Sequence, residues 1–223
     1  MSGERPIRAN IGIHHGQEKM HLLDQRILGS VILFLLGLLV IVKQWTTGRI
    51  LDNPTGNLLV RGVNIFNLFF LLVVNPLAAI LLISRLLEAL DPTHVTIVAP
   101  WLWMVLEILG SVVYGSGYIL MAWALIRLGR YYQLGGSAPR PEDSMVMDGP
   151  YRLVRHPMYT AALSISLGLA CLIQSWGAIC VFCIYLGLIL LLIPTEEAGL
   201  RRAYGDQYSA YERKTRKLIP FIY

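Results

Sequence analysis

Five apolar runs, each near or above the length that crosses a lipid bilayer, limit what this chain can fold into. They lie at about Ile27 to Val42, Val63 to Leu87, Trp101 to Ile126, Pro157 to Ile173 and Gly177 to Ile193. About 20 apolar residues cover about 30 Å of hydrocarbon. In lipid every backbone polar group must be satisfied within its own segment, so each run is expected to be a helix. Composition agrees: 55% of the 223 residues are hydrophobic and only 15% are charged, against about 25% charged in soluble domains. The expectation is an all-α integral membrane protein of about five transmembrane helices. A single membrane domain, 1–223, divides into three N-terminal spans (27–126) and a C-terminal part (127–223) that holds a loop, a helical hairpin and a tail. The polar first 26 residues do not read as a secretory signal peptide, so the first run is expected to stay as an anchor.

The hairpin and the orientation follow from the connections. Only Gln174, Ser175 and Trp176 separate the fourth and fifth runs, which forces them antiparallel. Connections that share one side carry fourteen Lys and Arg, in 43–61, 127–155 and the tail after Ile193; the other side carries five. The excess marks the cytoplasmic face, with the N-terminus outside and the C-terminus in the cytoplasm. The net charge of +5 is explained by this asymmetry, and nucleic-acid binding is not expected. Cys171, Cys180 and Cys183 lie within apolar runs and read as small hydrophobes. The polar N-terminal tail with His14, His15 and His21 lacks further ligands, so no metal site is expected.

Reactive side chains concentrate at the cytoplasmic mouth. Asp148-Gly-Pro-Tyr151-Arg152-Leu-Val-Arg155-His156-Pro157-Met158-Tyr159 stands directly before the fourth run. Pro157 suits the first position of a helix and drives His156 toward an extended conformation. The free N–H groups of that helix start favour an anion, and Arg155 adds a full positive charge. The opposed reading is a helix end anchored at the headgroups with Tyr151 and Tyr159 in an aromatic belt. Glu196 and Glu197 follow the fifth run, past Pro194, which is expected to kink the chain. The hairpin brings Glu196 to the same end as His156, so a carboxylate faces an anion pocket, a pairing suited to a zwitterion. Glu197 reads as an i,i+4 partner of Arg201. Within the third run, Met104, Glu107, Tyr114 and Tyr118 share a helix face, and Glu107 is a candidate substrate contact, because an acid inside a span is costly and often functional.

Arg155-His156-Pro157-Met158-Tyr159, Glu196-Glu197 about forty residues on, then Tyr204-Gly-Asp-Gln-Tyr208-x-x-Tyr211 and a terminal Leu-Ile-Pro resemble the isoprenylcysteine carboxyl methyltransferase and phospholipid methyltransferase superfamily. The resemblance covers roughly Asp143 to Phe221. It implies S-adenosylmethionine as cofactor, held in a cytoplasmic pocket between the fourth–fifth hairpin and the C-terminal helices. By position it implies cofactor contacts at Asp143, Ser144, Met145, Val146, Tyr151, Arg155, His156, Pro157, Met158, Tyr159 and Glu196. The acceptor is then lipophilic and enters from the bilayer: a prenylcysteine-like carboxylate, a lipid amine or a thiol. One position departs from the pattern: isoprenylcysteine enzymes carry an arginine four residues before the first glutamate, and here that position is Leu192. Two other classes stand beside this one, a membrane-embedded NADPH-dependent sterol or steroid reductase and a non-catalytic membrane scaffold.

Overall fold

The computed structural model describes residues 23–48, 58–95, 99–132 and 143–219. His14, His15 and His21, Gly135, Gly136 and Pro220 lie outside them. Eight α-helices follow in order among the described residues: α1 Gln25–Thr47, α2 Leu58–Phe69, α3 Asn75–Ile83, α4 Leu87–Leu90, α5 Pro100–Leu128, α6 Pro157–Ile173, α7 Trp176–Tyr204 and α8 Asp206–Glu212. A π-helical turn, Phe70–Val74, joins α2 to α3 without interruption. Four segments are long and apolar enough to cross a membrane: Gln25–Thr47, Leu58–Ile83, Trp101–Leu128 and Trp176–Tyr204. α6, at 17 residues, is about 25 Å long and is the short member of the set.

Each start and stop has a local cause. Asp24 caps α1 by accepting the N–H of Arg26, and Gly48 closes it at φ 69°. Pro76 has no N–H to give to the carbonyl four residues back. The chain answers with the π turn, in which the Asn75 N–H reaches Phe70 O and the Asn75 side chain donates to the same carbonyl at 3.0 Å. α6 starts at Pro157 as the sequence predicts. Gln174, at φ 49°, turns the hairpin, and the Ser175 side chain caps α7.

Two boundaries differ from the sequence reading. The second span begins earlier, at Leu58, and ends at Ile83, with Leu87 in a separate short helix. The fifth does not end or break at Pro194: α7 continues through it for 29 residues to Tyr204, about 44 Å. Buried Leu192 and Ile193 anchor the turn before the proline, and the tertiary packing compensates for one missing hydrogen bond.

Close backbone approach sets the packing. A Cβ on Gly168 of α6 would lie 2.5 Å from Tyr114 N of α5, and one on Gly117 would lie 2.8 Å from Ile165 and 3.0 Å from Ala161 O. One on Gly29 of α1 would lie 2.5 Å from Ala79 O of α3. Small residues permit this contact where no hydrophobic gain separates helix from lipid. The outer faces are apolar, as along α1 at Ile27, Val31, Phe34, Leu38, Ile41 and Trp45. The core runs through both halves, from Leu28 to Leu218. At one end of the bundle Asp24 pairs with Arg85 at 2.6 Å, and His94 bridges to Ser175. The opposite end holds the 3-10 turns, α8 and the chain from 143 onward.

Candidate functional site

The start of α6 is held by the chain after α8. Val154 and Arg216 form a parallel bridge. Arg155 N–H donates to Arg216 O at 2.7 Å and His156 N–H to Lys217 O at 3.1 Å. Thr160 Oγ1 donates to Leu218 O at 2.7 Å. These bonds fix His156 just outside the helix at φ −122°, ψ 59°. That is less extended than a pre-proline residue usually is, because the bridge to 216–217 sets its backbone.

Behind this strand lies an ionic knot. Arg155 Nε donates to Glu197 Oε1 at 2.8 Å, and its Nη1 donates to the carbonyls of Glu212 at 3.0 Å and Thr215 at 2.7 Å. His156 Nε2 lies 3.4 Å from the same Glu197 oxygen. Arg201 and Lys217 approach the other oxygen at 3.7 and 3.9 Å. The side chains of Arg155 and Glu197 are 6% and 2% exposed. A buried ion pair is tolerated only when further hydrogen bonds satisfy both charges, and here they do. Arg201 itself pairs closely with Glu212, and its guanidinium holds that carboxyl below the usual range.

In front of the knot opens a cavity of about 290 Å³, near the lower end for small-molecule sites. Asp143, Ser144, Met145, Val146, Tyr151, Arg155, His156, Pro157, Met158, Tyr159 and Glu196 all line it. Glu196 faces the cavity and accepts the Tyr159 hydroxyl at 2.6 Å; the His156 ring stacks on Tyr159 with centroids 5.5 Å apart. Tyr211 donates to Tyr151 O at 2.6 Å, and Tyr204 reaches Asp143 O at 3.4 Å, so α7 and α8 hold both the 3-10 turn Gly149–Arg152 and the irregular segment 143–146. Burial, and after it the charge of Glu196, pushes the Tyr151 phenol well above its ordinary range. Away from the mouth the wall becomes apolar: Leu39, Val40, Leu68, Leu71, Leu72, Met121 and Leu125.

Three sequence candidates stand elsewhere. Leu192 is fully buried in the core and does not line the cavity. Glu197 belongs to the knot, with Arg155 as its chief partner rather than Arg201. Glu107 sits at the opposite end of the bundle, where its carboxylate accepts the Leu23 N–H at 2.9 Å. Tyr114 and Tyr118, on the same helix, are buried as well, and Tyr114 donates to Asn75 at 2.9 Å. Arg155 differs in role as well, since its charge is met by Glu197 instead of standing free for an anion.

Other residues on the cavity were not singled out from sequence. Tyr208 lines it, is 1% exposed, and has a hydroxyl with no hydrogen-bond partner among the described residues. Its spacing in Tyr204-Gly-Asp-Gln-Tyr208-x-x-Tyr211 was the available signal. Lys43, Asn64, Asn67 and Tyr185 also line the cavity, on helices that read only as hydrophobic.

Residues 105–207 match the family model described as phospholipid methyltransferase. The protein-S-isoprenylcysteine O-methyltransferase of Schizosaccharomyces pombe is 32% identical over 108 residues, 48% of this chain and 46% of that protein. The cobalt-zinc-cadmium resistance protein CzcN of Cupriavidus metallidurans is 28% identical over 102 residues, 45% of this chain and 47% of that protein. The chain thus spans about half the length of the curated relatives it matches. A solved eukaryotic intramembrane Ras methyltransferase, isoprenylcysteine carboxyl methyltransferase, overlaps 88% of this chain and 86% of its own, at 17% identity and a TM-score of 0.49. The matched segment, which contains α6, all of α7 and most of the cavity's polar wall, is similar to the phospholipid methyltransferase family and to protein-S-isoprenylcysteine O-methyltransferases.

Proposed function

We propose that this chain is an S-adenosylmethionine-dependent membrane methyltransferase whose acceptor is lipophilic. The observation that carries the reading is a single cavity with a polar mouth around Glu196 and an apolar extension between membrane-spanning helices. The donor set fits the cofactor. Glu196 offers a carboxylate to an ammonium group, and the unsatisfied hydroxyl of buried Tyr208 offers a donor or acceptor to a polar ligand. His156 and Tyr151 supply further polar atoms, and the irregular segment 143–146 lines the cavity beside them. Arg155 is assigned a positioning role: through Glu197 it holds His156. On the orientation read from the Lys and Arg distribution, the mouth and the C-terminus face the cytoplasm.

Bound there, S-adenosylmethionine supplies an electrophilic methyl group on a positively charged sulfur. The protein's share is to orient and to exclude water. Positioning two reactants contributes up to about 7–11 kcal/mol. Glu196 fixes the cofactor's ammonium end, and the apolar wall admits an acceptor from the side of the lipid. No general base is assigned. The family model matched over 105–207 and the similar methyltransferases do not favour the reductase alternative.

The test is transfer of a tritiated methyl group from S-adenosylmethionine to an organic-extractable product by the purified full chain in lipid vesicles. Glu196→Gln should lower that transfer strongly. A wild-type protein that binds the cofactor in no form, and instead binds NADPH, contradicts the proposal.

A further inference from the structure

Two polar residues stand in the part of the cavity that lies between membrane-spanning helices, and the methyltransferase reading has used neither. Asn67 on α2 and Tyr185 on α7 both line the cavity, and each lies within a segment long and apolar enough to cross a membrane. Tyr185 is 2% exposed. Its ring packs against those of Phe66 and Phe70, with centroids 5.0 and 5.7 Å away. That packing fixes the hydroxyl, which donates to Asn67 Oδ1. Asn67 itself is half-buried.

A bond between two helices accounts for part of this arrangement, because polar side chains join helices in lipid. It accounts for the oxygen of Asn67 only. An asparagine amide also carries two N–H donors, and here they have no partner among the described residues. The neighbouring wall is apolar, with Leu68, Leu71, Met121, Leu125 and Ile165. An unpaired donor among such side chains is costly, and a polar group inside a span is often functional. A lone donor on an apolar wall is the complement of a lone acceptor oxygen in an otherwise apolar molecule. Tyr185 precedes Glu196 on α7 by about 16 Å of helix. The oxygen is therefore met in the body of a ligand, away from the head at the polar mouth.

We propose that Asn67, oriented by Tyr185, is a specificity-determining residue that donates to one carbonyl oxygen within the lipophilic body of the acceptor. Calling that ligand an acceptor rests on the methyltransferase reading above; the subsite rests on Asn67, Tyr185 and the cavity. A carbonyl accepts and does not donate, which matches a site whose own acceptor is taken by Tyr185. The acceptor is thereby an oxygenated lipid, rather than one whose apolar part is hydrocarbon throughout. A keto lipid and the ester of a glycerolipid share this chemistry.

The test is binding to the full chain in vesicles of ether-linked phospholipid, which bring no ester carbonyl of their own. The probes form matched pairs: stearyl alcohol against analogues with one isotope-labelled ketone near the head, middle or end of the chain, and a carbonyl-labelled diacylglycerol against its dialkyl ether. At least one carbonyl probe should bind roughly three- to tenfold more tightly than its match, the value of one hydrogen bond. Its carbonyl stretch should move to lower frequency on binding. Asn67→Leu combined with Tyr185→Phe removes donor and partner together, so neither helix keeps an unpaired polar group. The unfolding midpoint and S-adenosylhomocysteine affinity should hold in that double variant, while the preference and the infrared shift are lost. A preference confined to the ketones identifies a keto lipid and one confined to the diacylglycerol a glycerolipid ester; both uphold the subsite. Equal binding within every pair by the wild-type chain, or a preference that survives in the double variant, overturns it. Absence of S-adenosylhomocysteine binding with the preference intact overturns the methyltransferase reading and leaves the subsite standing.

Discussion

The two walls of the cavity are built on opposite principles. The C-terminal wall, from Asp143 to Leu218, is a polar assembly: a buried ion pair, a two-residue bridge, and two tyrosines, Tyr204 and Tyr211, tied to backbone carbonyls. The N-terminal wall, on α1 and α2, is an apolar surface with isolated polar residues set into it, Lys43, Asn64 and Asn67. The first wall is over-determined, because removal of any one partner leaves another charge buried. The second is set by helix packing and tolerates change wherever volume is kept. A site that must hold one polar cofactor in one pose needs the first kind of wall; one that selects among lipophilic acceptors can be varied on the second.

The contrast is most easily broken at Glu197. Glu197→Ala leaves buried Arg155 with only the more distant Glu212 carboxylate at 3.7 Å, so stability should fall by up to about 3–5 kcal/mol, read as a lower thermal unfolding midpoint in detergent. If Glu197→Ala unfolds like the wild type, the C-terminal wall is not held by the knot. Packing comes next. Gly168→Ala places a methyl against the backbone of Tyr114 and should cost about 1–3 kcal/mol; the same assay decides it. Glu196→Gln should separate the adjacent carboxylates, with S-adenosylhomocysteine affinity lower by roughly ten- to a hundredfold and no drop in unfolding midpoint. Tyr208→Phe should weaken that binding by roughly two- to tenfold without destabilising the ligand-free protein, since its hydroxyl has no partner to lose. At the exposed pair of Arg127 and Asp148, Arg127→Ala should cost at most about 1 kcal/mol, which marks the edge of the polar assembly.

The same contrast explains what could be read in advance. The all-α membrane fold, the hairpin at Gln174–Trp176 and the start of α6 at Pro157 follow from hydropathy, loop length and proline chemistry, which act locally. The eleven mouth residues came from a motif, and they meet on one cavity. Local rules could not assign Glu196 and Glu197, because adjacent residues on a helix face different ways and their partners lie on α6 and after α8. The role of Arg155 was hidden for the same reason: its acceptors are 42 to 60 residues away. Pro194 lies inside α7, whose continuation past it depends on the packing around the proline, and the π turn before Pro76 shows the chain adapting a second time. Glu107 looked functional as an acid in a span, yet a backbone N–H just before α1 satisfies it. Lys43, at the edge of an apolar run, is indistinguishable in sequence from an interface anchor.

The central claim is that the polar mouth is a cofactor site centred on Glu196. Isothermal titration of S-adenosylhomocysteine into the detergent-purified full chain tests it most directly. The account predicts a micromolar Kd that is lost or greatly weakened in Glu196→Gln while the unfolding midpoint holds. No binding to the wild-type protein, or binding that Glu196→Gln leaves unchanged, would contradict it.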